Sequence, residues 1–535
     1  MNAVTARPVT VTSPHEVRRL LRAGDEIALL DLREEGPFAA AHPLFAVNLP
    51  LGRIEERIGV LVPRRDAPIV LYDNGEGRVA RALPVFAALG YGNVSMLEGG
   101  LAGWRASGGE IFIDVNVPSK AFGELVEHVR HTPSLPAPEL QARIARGDDL
   151  VILDARRFSE YHVMSIPGGR SVPGGELALR VRDIAPSPET VVVVNCAGRT
   201  RSIIGAQSLV NAGIPNPVFA LRNGTIGWTL AGLELDHGAA RTGGEPTGAN
   251  VARARAAAAA LAERTGVRAI GQGALSALQS DPARTVYRLD VRSPEDYAAS
   301  HLEGFRSAPG GQLVQATDEW IGVRHGTIVL TDDDGVRARM TGHWLRQLGW
   351  REVYVLDDWA GAPRATGAEP VVLAAPLPEV DGVSVAALVA ERAAGEGPLV
   401  IDLAASPAFR TGHVPGAVFA IRPDLAGHPR LADARDVVLT SPDGVAARLA
   451  APELAHAGLR VRVLDGGTTA WRDAGQPLET GLDTARALSR PDDVYKRPYE
   501  GTDNAAAAMQ AYLDWEFGLV AQLERDGTHG FSVLD

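Results

Sequence analysis

The sequence predicts an α/β protein built from four tandem copies of one unit, each a mostly parallel sheet flanked by helices, with a C-terminal helical tail. Three observations carry this. Strand-like hydrophobic runs alternate with helical periodicity along most of the 535 residues, the pattern of parallel sheets covered on both faces. Four of those runs end in aspartate, at Asp31, Asp154, Asp290 and Asp402. The residues after each aspartate then repeat at fixed spacing, and internal repeats are read before any local element.

The spacing defines the elements in order. Seven residues past each aspartate stands an aromatic (Phe38, Tyr161, Tyr297, Phe409), and eleven past it stand His42, Ser165, His301 and His413. Forty-two residues past the first three lie Asp73, Cys196 and Asp332; in the fourth copy a shorter path of 39 leads to Ser441. Each of these ends a second buried strand, and a helix follows. Seventeen residues later Gly90, Gly213, Gly349 and Gly458 stop that helix. A further strand comes next, and a tryptophan closes each unit: Trp104, Trp228, Trp359 and Trp471. Units two and three share more, because Arg170-Ser-Val-Pro-Gly-Gly-Glu-Leu177 recurs as Arg306-Ser-Ala-Pro-Gly-Gly-Gln-Leu313. The units span 10–110, 135–238, 266–370 and 383–480, and the tail 481–535. At about 100 residues each can bury its own core.

Linkers fill the gaps. Residues 111–138 hold an extended piece, a short helix near Ala121 to Arg130 and a proline-rich exit. Arg241 to Asn250, rich in Gly, Thr and Pro, reads as flexible. Val251 to Arg264 is alanine-rich and reads as a helix. Asn504 to Arg525 reads as one amphipathic helix, with Met509, Tyr512, Leu513, Phe517, Val520 and Leu523 on its apolar side. It is expected to pack on a domain or on a second subunit, so a homodimer stays open.

Composition narrows the class. With 45% hydrophobic and 22% charged residues the chain reads as soluble and globular. A net charge of -12 without a long basic run argues against nucleic acid. One cysteine excludes an intramolecular disulfide. Met1 to Thr12 lacks the layout of a signal peptide, and no apolar run reaches the ~18 residues of a membrane span. These features fit a cytoplasmic enzyme. No ligand cluster for a metal and no glycine-rich nucleotide motif stand out, so no cofactor is expected.

The stretch that carries chemistry is Val191-Val-Val-Val-Asn-Cys196-Ala-Gly-Arg-Thr-Arg-Ser202. Four β-branched residues in a row predict a buried strand. The lone thiol follows it, and a helix begins at Thr200. The unpaired N–H groups and the dipole of a helix N-terminus favour an anion there. The thiolate is the nucleophilic form of cysteine, and a polar, arginine-flanked loop is a setting in which cysteines react.

Cys196-Ala-Gly-Arg-Thr-Arg-Ser202 after a hydrophobic strand resembles the active-site loop of the rhodanese sulfurtransferases. Gly412-His-Val-Pro-Gly-Ala417 in the fourth unit matches that family's usual opening motif. The resemblance covers roughly residues 10 to 480. It implies that Cys196 accepts a sulfane sulfur as a persulfide, that Ala197, Gly198, Arg199, Thr200 and Arg201 form the cradle that binds the donor, and that a thiophilic acceptor takes the sulfur. The expected partners are a small anionic donor such as thiosulfate and an acceptor such as cyanide, a thiol or a protein thiol.

The copies without a thiol refine these roles. Asp73, Asp332 and Ser441 cannot carry a persulfide, so one transfer site per chain is expected. Asp73 and Asp332 are expected to pair with Arg78 and Arg337 and to fill their loops internally. Arg201 has counterparts in Arg78 and Arg337, which points to a partly structural role, whereas Arg199 occurs only beside Cys196 and is the candidate for donor binding. Asp154 and Arg156 support the loop from the preceding strand; Asp31 with Arg33 and Asp290 with Arg292 repeat the pair, so it belongs first to the fold. Arg170 and Glu176 line the mouth or stay solvated, and Trp228 belongs to the core. Ser165 departs from the family motif, which has histidine there. Phosphatases and arsenate reductases of the same fold use a longer Cys-x5-Arg loop, and the Cys-x4-Arg spacing here suits a single sulfur atom. The alternative to an enzyme is a persulfide carrier or sulfur sensor that docks partners through its degenerate units.

Overall fold

A computed structural model of the protein describes residues 10–358, 361–395, 397–456, 458–497, 500 and 504–534. It contains four five-stranded sheets with one strand order, 1-5-4-2-3 within each unit, and every pairing inside them is parallel. In the second unit the order is Ser134–Leu135, Val218–Leu221, Val191–Asn195, Leu150–Asp154 and Arg170–Ser171. The valine run is therefore the central strand. Val192 and Val194 face one core with Leu153, Leu177 and Ala206, while Val193 faces the other with Ile152, Leu221 and Trp228. Burial on both faces is what a run of β-branched residues is suited to.

The repeat landmarks turn out to be fold-level devices. The aromatic and the histidine that follows it stack in three units: Phe38 on His42 at 4.2 Å, Tyr297 on His301 at 3.8 Å and Phe409 on His413 at 3.7 Å. Ser165 loses the stack but keeps the backbone bridge, to Asp236, that His42 and His413 make to Phe112 and Glu479. The closing tryptophans donate their indole N–H to a carbonyl six residues on: Trp104 to Glu110, Trp228 to Glu234 and Trp471 to Pro477. Trp359 lies outside the described residues.

The units share cores. Leu61 of the first unit accepts from Tyr287 Oη (2.6 Å) and Gly322 N (2.9 Å) of the third. One hydrophobic cluster runs through both units and the linker residues Phe122 and Val126. Arg422 of the fourth unit holds Glu55 of the first with two bonds of 2.9 Å. The Pro-Gly-Gly motifs of units two and three meet face to face. A methyl group on Gly311 would come within 2.9 to 3.1 Å of the Gly174 and Gly175 backbone, so the close approach requires glycine and accounts for the repeated motif.

The structure revises the linkers and the tail. Arg241 to Asn250 is tied down rather than loose: Arg241 O accepts from Ser171 N at 2.8 Å, Thr247 N donates to Asp183 at 3.1 Å, and the alanine-rich helix already begins at Gly248 (Gly248–Thr265). The linker helix is longer than expected, Val117–Arg130, because Pro118 is tolerated in its first turn. The tail forms two helices, Ala505–Phe517 and Leu519–Asp526, broken at Gly518. They pack on this chain's own first unit and linker: Leu519 and Leu523 bury against Leu44, Phe112, Val117 and Ala121. In the tail, residues 498–499, 501–503 and 535 lie outside the described residues. Among the described residues no helix is long and apolar enough to cross a membrane, and no His/Cys/Asp/Glu group suited to a metal is found.

Candidate active site

Cys196 sits at the carboxyl end of the central strand, where ligands bind in parallel sheets, and is 2% exposed. The helix Thr200–Asn211 starts four residues on. A second helix, Gly224–Leu230, fixes the loop from the side. Its first N–H groups donate to the loop carbonyls, Thr225 N to Cys196 O and Ile226 N to Ala197 O, each at 2.9 Å. The thiol has a hydrogen-bond partner that the sequence reading did not single out: Ser202 Oγ, 3.5 Å from Sγ, itself donating to Arg199 O at 2.8 Å.

Asp154 and Arg156 stand behind the loop, each 1% exposed. They form a two-point ion pair (2.9 and 2.6 Å), and Arg156 also reaches Met164 O at 2.6 Å. Asn195, just before the cysteine, donates to Asp154 at 3.0 Å, which links the pair to the loop. The same ion pair occurs in units one and three.

Neither loop arginine points a bare guanidinium at the sulfur. Arg201 makes a fork with Glu160, at 2.7 and 2.9 Å. Burial alone would raise the Glu160 pKa, yet Arg201, with Arg156 and Arg497 nearby, holds it down to about 2. Arg199, the residue expected to bind donor, instead turns to the linker helix. It forms bonds of 2.7 and 2.8 Å with Glu124, a contact with Glu127 and one of 3.2 Å with Asn223, and it stacks on Phe517 at 4.2 Å. Glu124 is 5% exposed; burial pushes its pKa up, and Arg199 opposes that push. The physical reason is that two buried or half-buried carboxylates on one helix face need a cation. Arg199→Met is therefore expected to destabilise this part of the fold by about 3–5 kcal/mol by stranding Glu124. Thermal unfolding should show it, and a second change, Glu124→Gln, should restore most of the loss.

The degenerate units show what their loops hold. Asp73 accepts from Gly75 N (3.0 Å) and Val79 N (3.1 Å), and Asp332 from Gly335 N (3.0 Å) and Ala338 N (2.8 Å). Ser441 Oγ accepts from Ala447 N at 3.4 Å. Each carboxylate fills its own loop. The expected pairs with Arg78 and Arg337 do not form. Arg78 goes to Glu34 at 3.0 Å, and Arg337 goes to Glu176, Asp296, Asp333 and Asp334. The backbone N–H groups satisfy the aspartates, and the arginines reach other carboxylates: Arg78 and Arg201 on neighbouring elements, Arg337 both there and in its own loop. Glu176 is thus an interdomain ligand rather than a solvated side chain. Burial and Asp334 push the Asp332 pKa up to about 7 against the pull of those N–H groups.

A cleft of about 400 Å³ opens over the Cys196 loop, and residues 196–201 all line it. Its other walls come from distant stretches: Glu35 of unit one, Lys120 of the linker helix, Gln315 of unit three, and Arg497, Tyr512 and Glu516 of the tail. Lys120 pairs with Asp114 at 2.8 Å and lies over the Tyr512 and Trp515 rings. The sequence reading missed these wall residues. The one available signal was Glu516, a carboxylate between the apolar positions Leu513 and Leu519.

Fold and site together place the chain in a class. The family model for the rhodanese-like domain matches residues 13–107, 136–231, 272–358 and 385–474, and the chain belongs to the rhodanese-like family. A crystal structure of a thiosulfate sulfurtransferase from Pseudomonas aeruginosa is similar over nearly the whole molecule. It is 53% identical, with 98% of this chain and 100% of that one covered and a TM-score of 0.94. SseB of Mycobacterium tuberculosis is 27% identical over 215 residues, 32% of this chain and 73% of SseB. An HTH-type transcriptional regulator of the same organism is 31% identical over 191 residues, 34% of this chain and 79% of the regulator.

Proposed function

We propose that this chain is a sulfurtransferase that moves sulfane sulfur from a small anionic donor such as thiosulfate, through a persulfide on Cys196, to a thiophilic acceptor. The observation that carries the reading lies in the degenerate loops. Asp73 and Asp332 place a carboxylate on main-chain N–H groups at the position that Cys196 occupies in unit two. By the repeat spacing, the groups that serve Cys196 belong to Gly198, Arg199 and Ser202. A loop that turns main-chain N–H donors toward the side chain at this position in two copies has the donors to hold an outer sulfur in the third.

The steps follow double displacement. The Cys196 thiolate attacks the outer sulfur of thiosulfate. The Sγ–S bond forms, the S–S bond of the donor breaks, and its electron pair leaves with sulfite. The loop N–H groups and the helix N-terminus hold the persulfide anion. Arg199 and Arg201 set the loop's shape through Glu124 and Glu160, and Lys120 and Arg497 add further cations to the cleft wall. An acceptor nucleophile then takes the outer sulfur and returns Cys196 to the thiolate. Arg201 fixed by Glu160 is not free to wrap a tetrahedral oxyanion, which weighs against a phosphatase.

Intact-protein mass measurement tests the reading. Thiosulfate should add one sulfur atom per chain, and cyanide should remove it as thiocyanate over many cycles. A stable gain without turnover would make the protein a carrier or sensor. No gain from thiosulfate, mercaptopyruvate or glutathione persulfide would overturn the proposal.

A further inference from the structure

Glu516 is out of place by packing rules. It lies on the helix Ala505–Phe517, is 1% exposed, and shares its buried side with Leu513. Its Oε2 atom has no hydrogen-bond partner among the described residues, although buried carboxyl oxygens are nearly always paired. That atom faces the active loop: a methyl group on Gly198 would lie 3.5 Å from it. Glu516 and Cys196 line the same cleft. A residue from the far end of the sequence thus sets a buried carboxyl oxygen without a partner against the loop that follows the sulfur-bearing residue.

We propose that Glu516 is the general base of the second half-reaction, taking the proton from a thiol acceptor, and that the acceptor is therefore a thiol. This rests on the Cys196 persulfide reading. In the step, R–SH gives its proton to the Glu516 carboxylate, and the thiolate forms a bond to the outer sulfur of Cys196–S–S⁻. The Sγ–S bond breaks, its electron pair stays on Sγ, and Glu516 returns the proton to the departing R–S–S⁻, which leaves as R–S–SH. Sulfur moves, and no outside oxidant or reductant enters.

The surroundings suit this role. Burial raises the Glu516 pKa to about 8; Lys120 opposes the shift, Glu124 reinforces it, Arg199 opposes it and Asp114 reinforces it. An ordinary thiol titrates near ~8.5, so the proton passes between groups of similar affinity. The volume of about 400 Å³ falls within the range of small-molecule sites, so the cleft can hold a thiol with the bulk of a short peptide.

The experiment separates the half-reactions. The full-length natural protein, Glu516→Gln and Glu516→Asp are loaded with thiosulfate, freed of excess donor and checked for one added sulfur by mass. Each is then mixed with glutathione or with sulfite from about pH 6 to about pH 10. Sulfite brings no proton to remove over most of that range. Glu516→Gln should discharge to glutathione ~10- to ~30-fold more slowly near neutral pH, the bound set by the roughly 3% of a thiol of pKa ~8.5 that is already thiolate at pH 7. The deficit should shrink as the pH passes the thiol's own pKa, and Glu516→Asp should recover part of the rate. Discharge to sulfite should stay within about twofold. Equal discharge to glutathione by both proteins, an equal slowing with both acceptors, or a Gln variant that cannot be loaded would overturn the proposal. Failure of the natural protein to load would instead remove the persulfide reading beneath it.

Discussion

Cys196→Ser lowers sulfur transfer from thiosulfate to cyanide by at least ~10⁴-fold, to the background of the uncatalysed reaction. Serine has no sulfur on which to form a persulfide, and the described chain holds no other cysteine. The three other loops carry Asp73, Asp332 and Ser441 at the equivalent place. The substitution should leave the fold intact. Sγ donates a long hydrogen bond to Ser202 Oγ at 3.5 Å, which a hydroxyl can replace, and the loop is held through the Cys196 backbone by Thr225 N. Steady-state thiocyanate formation and a thermal melt check both halves of the statement. Residual activity near one tenth of the natural value would show that sulfur transfer does not pass through this thiol.

Gly224→Ala should cost about 100-fold in activity without touching a reacting atom. Gly224 opens the helix that holds the active loop, at φ +53, where an L side chain is strained. A methyl group there would fall 2.3 Å from Cys196 O and 2.8 Å from both Ala197 C and Gly198 O. The loop must shift to relieve that clash, and misplacing a reacting group by about 1 Å costs roughly 10² in rate. Gly100 and Gly467 stand in the same relation to Asp73 O and Ser441 O, at 2.6 and 2.1 Å. Gly213→Ala is the control. Its φ is +63, but nothing lies within 4 Å of the added methyl, so it should lose about 1 kcal/mol of stability and no activity. If the two variants have equal activity, the backbone contact does not position the loop.

Much of the fold was legible because its signals are local. The valine run, the aspartate ending each strand and the glycine ending each helix are set by residues close in sequence, and four copies of them reinforce one another. Cys196 stood out for the same reason, because three copies supply a comparison at its position. The cleft was not legible. Lys120, Gln315 and Glu516 meet over the sulfur through tertiary packing, and nothing near any of them in sequence names the others. Arg199 shows the limit well. Its occurrence in one copy marked it as special, but Glu124, the partner that explains its place, lies in a linker outside every repeat. Glu516 left a trace, as an acidic residue on the side of a helix that buries leucine, and only the packed structure shows what that carboxyl faces.

The way the cleft is walled also sets a schedule. Unit two is complete at about residue 230, yet Glu516 is added some 290 residues later. At the usual 5–20 residues per second of synthesis, that delay is roughly 15–60 s. The nascent chain therefore carries a folded thiol loop well before the tail arrives to finish its wall. On this timetable the site matures last, and a ribosome stalled in the fourth unit would display Cys196 without the groups that govern its exchange.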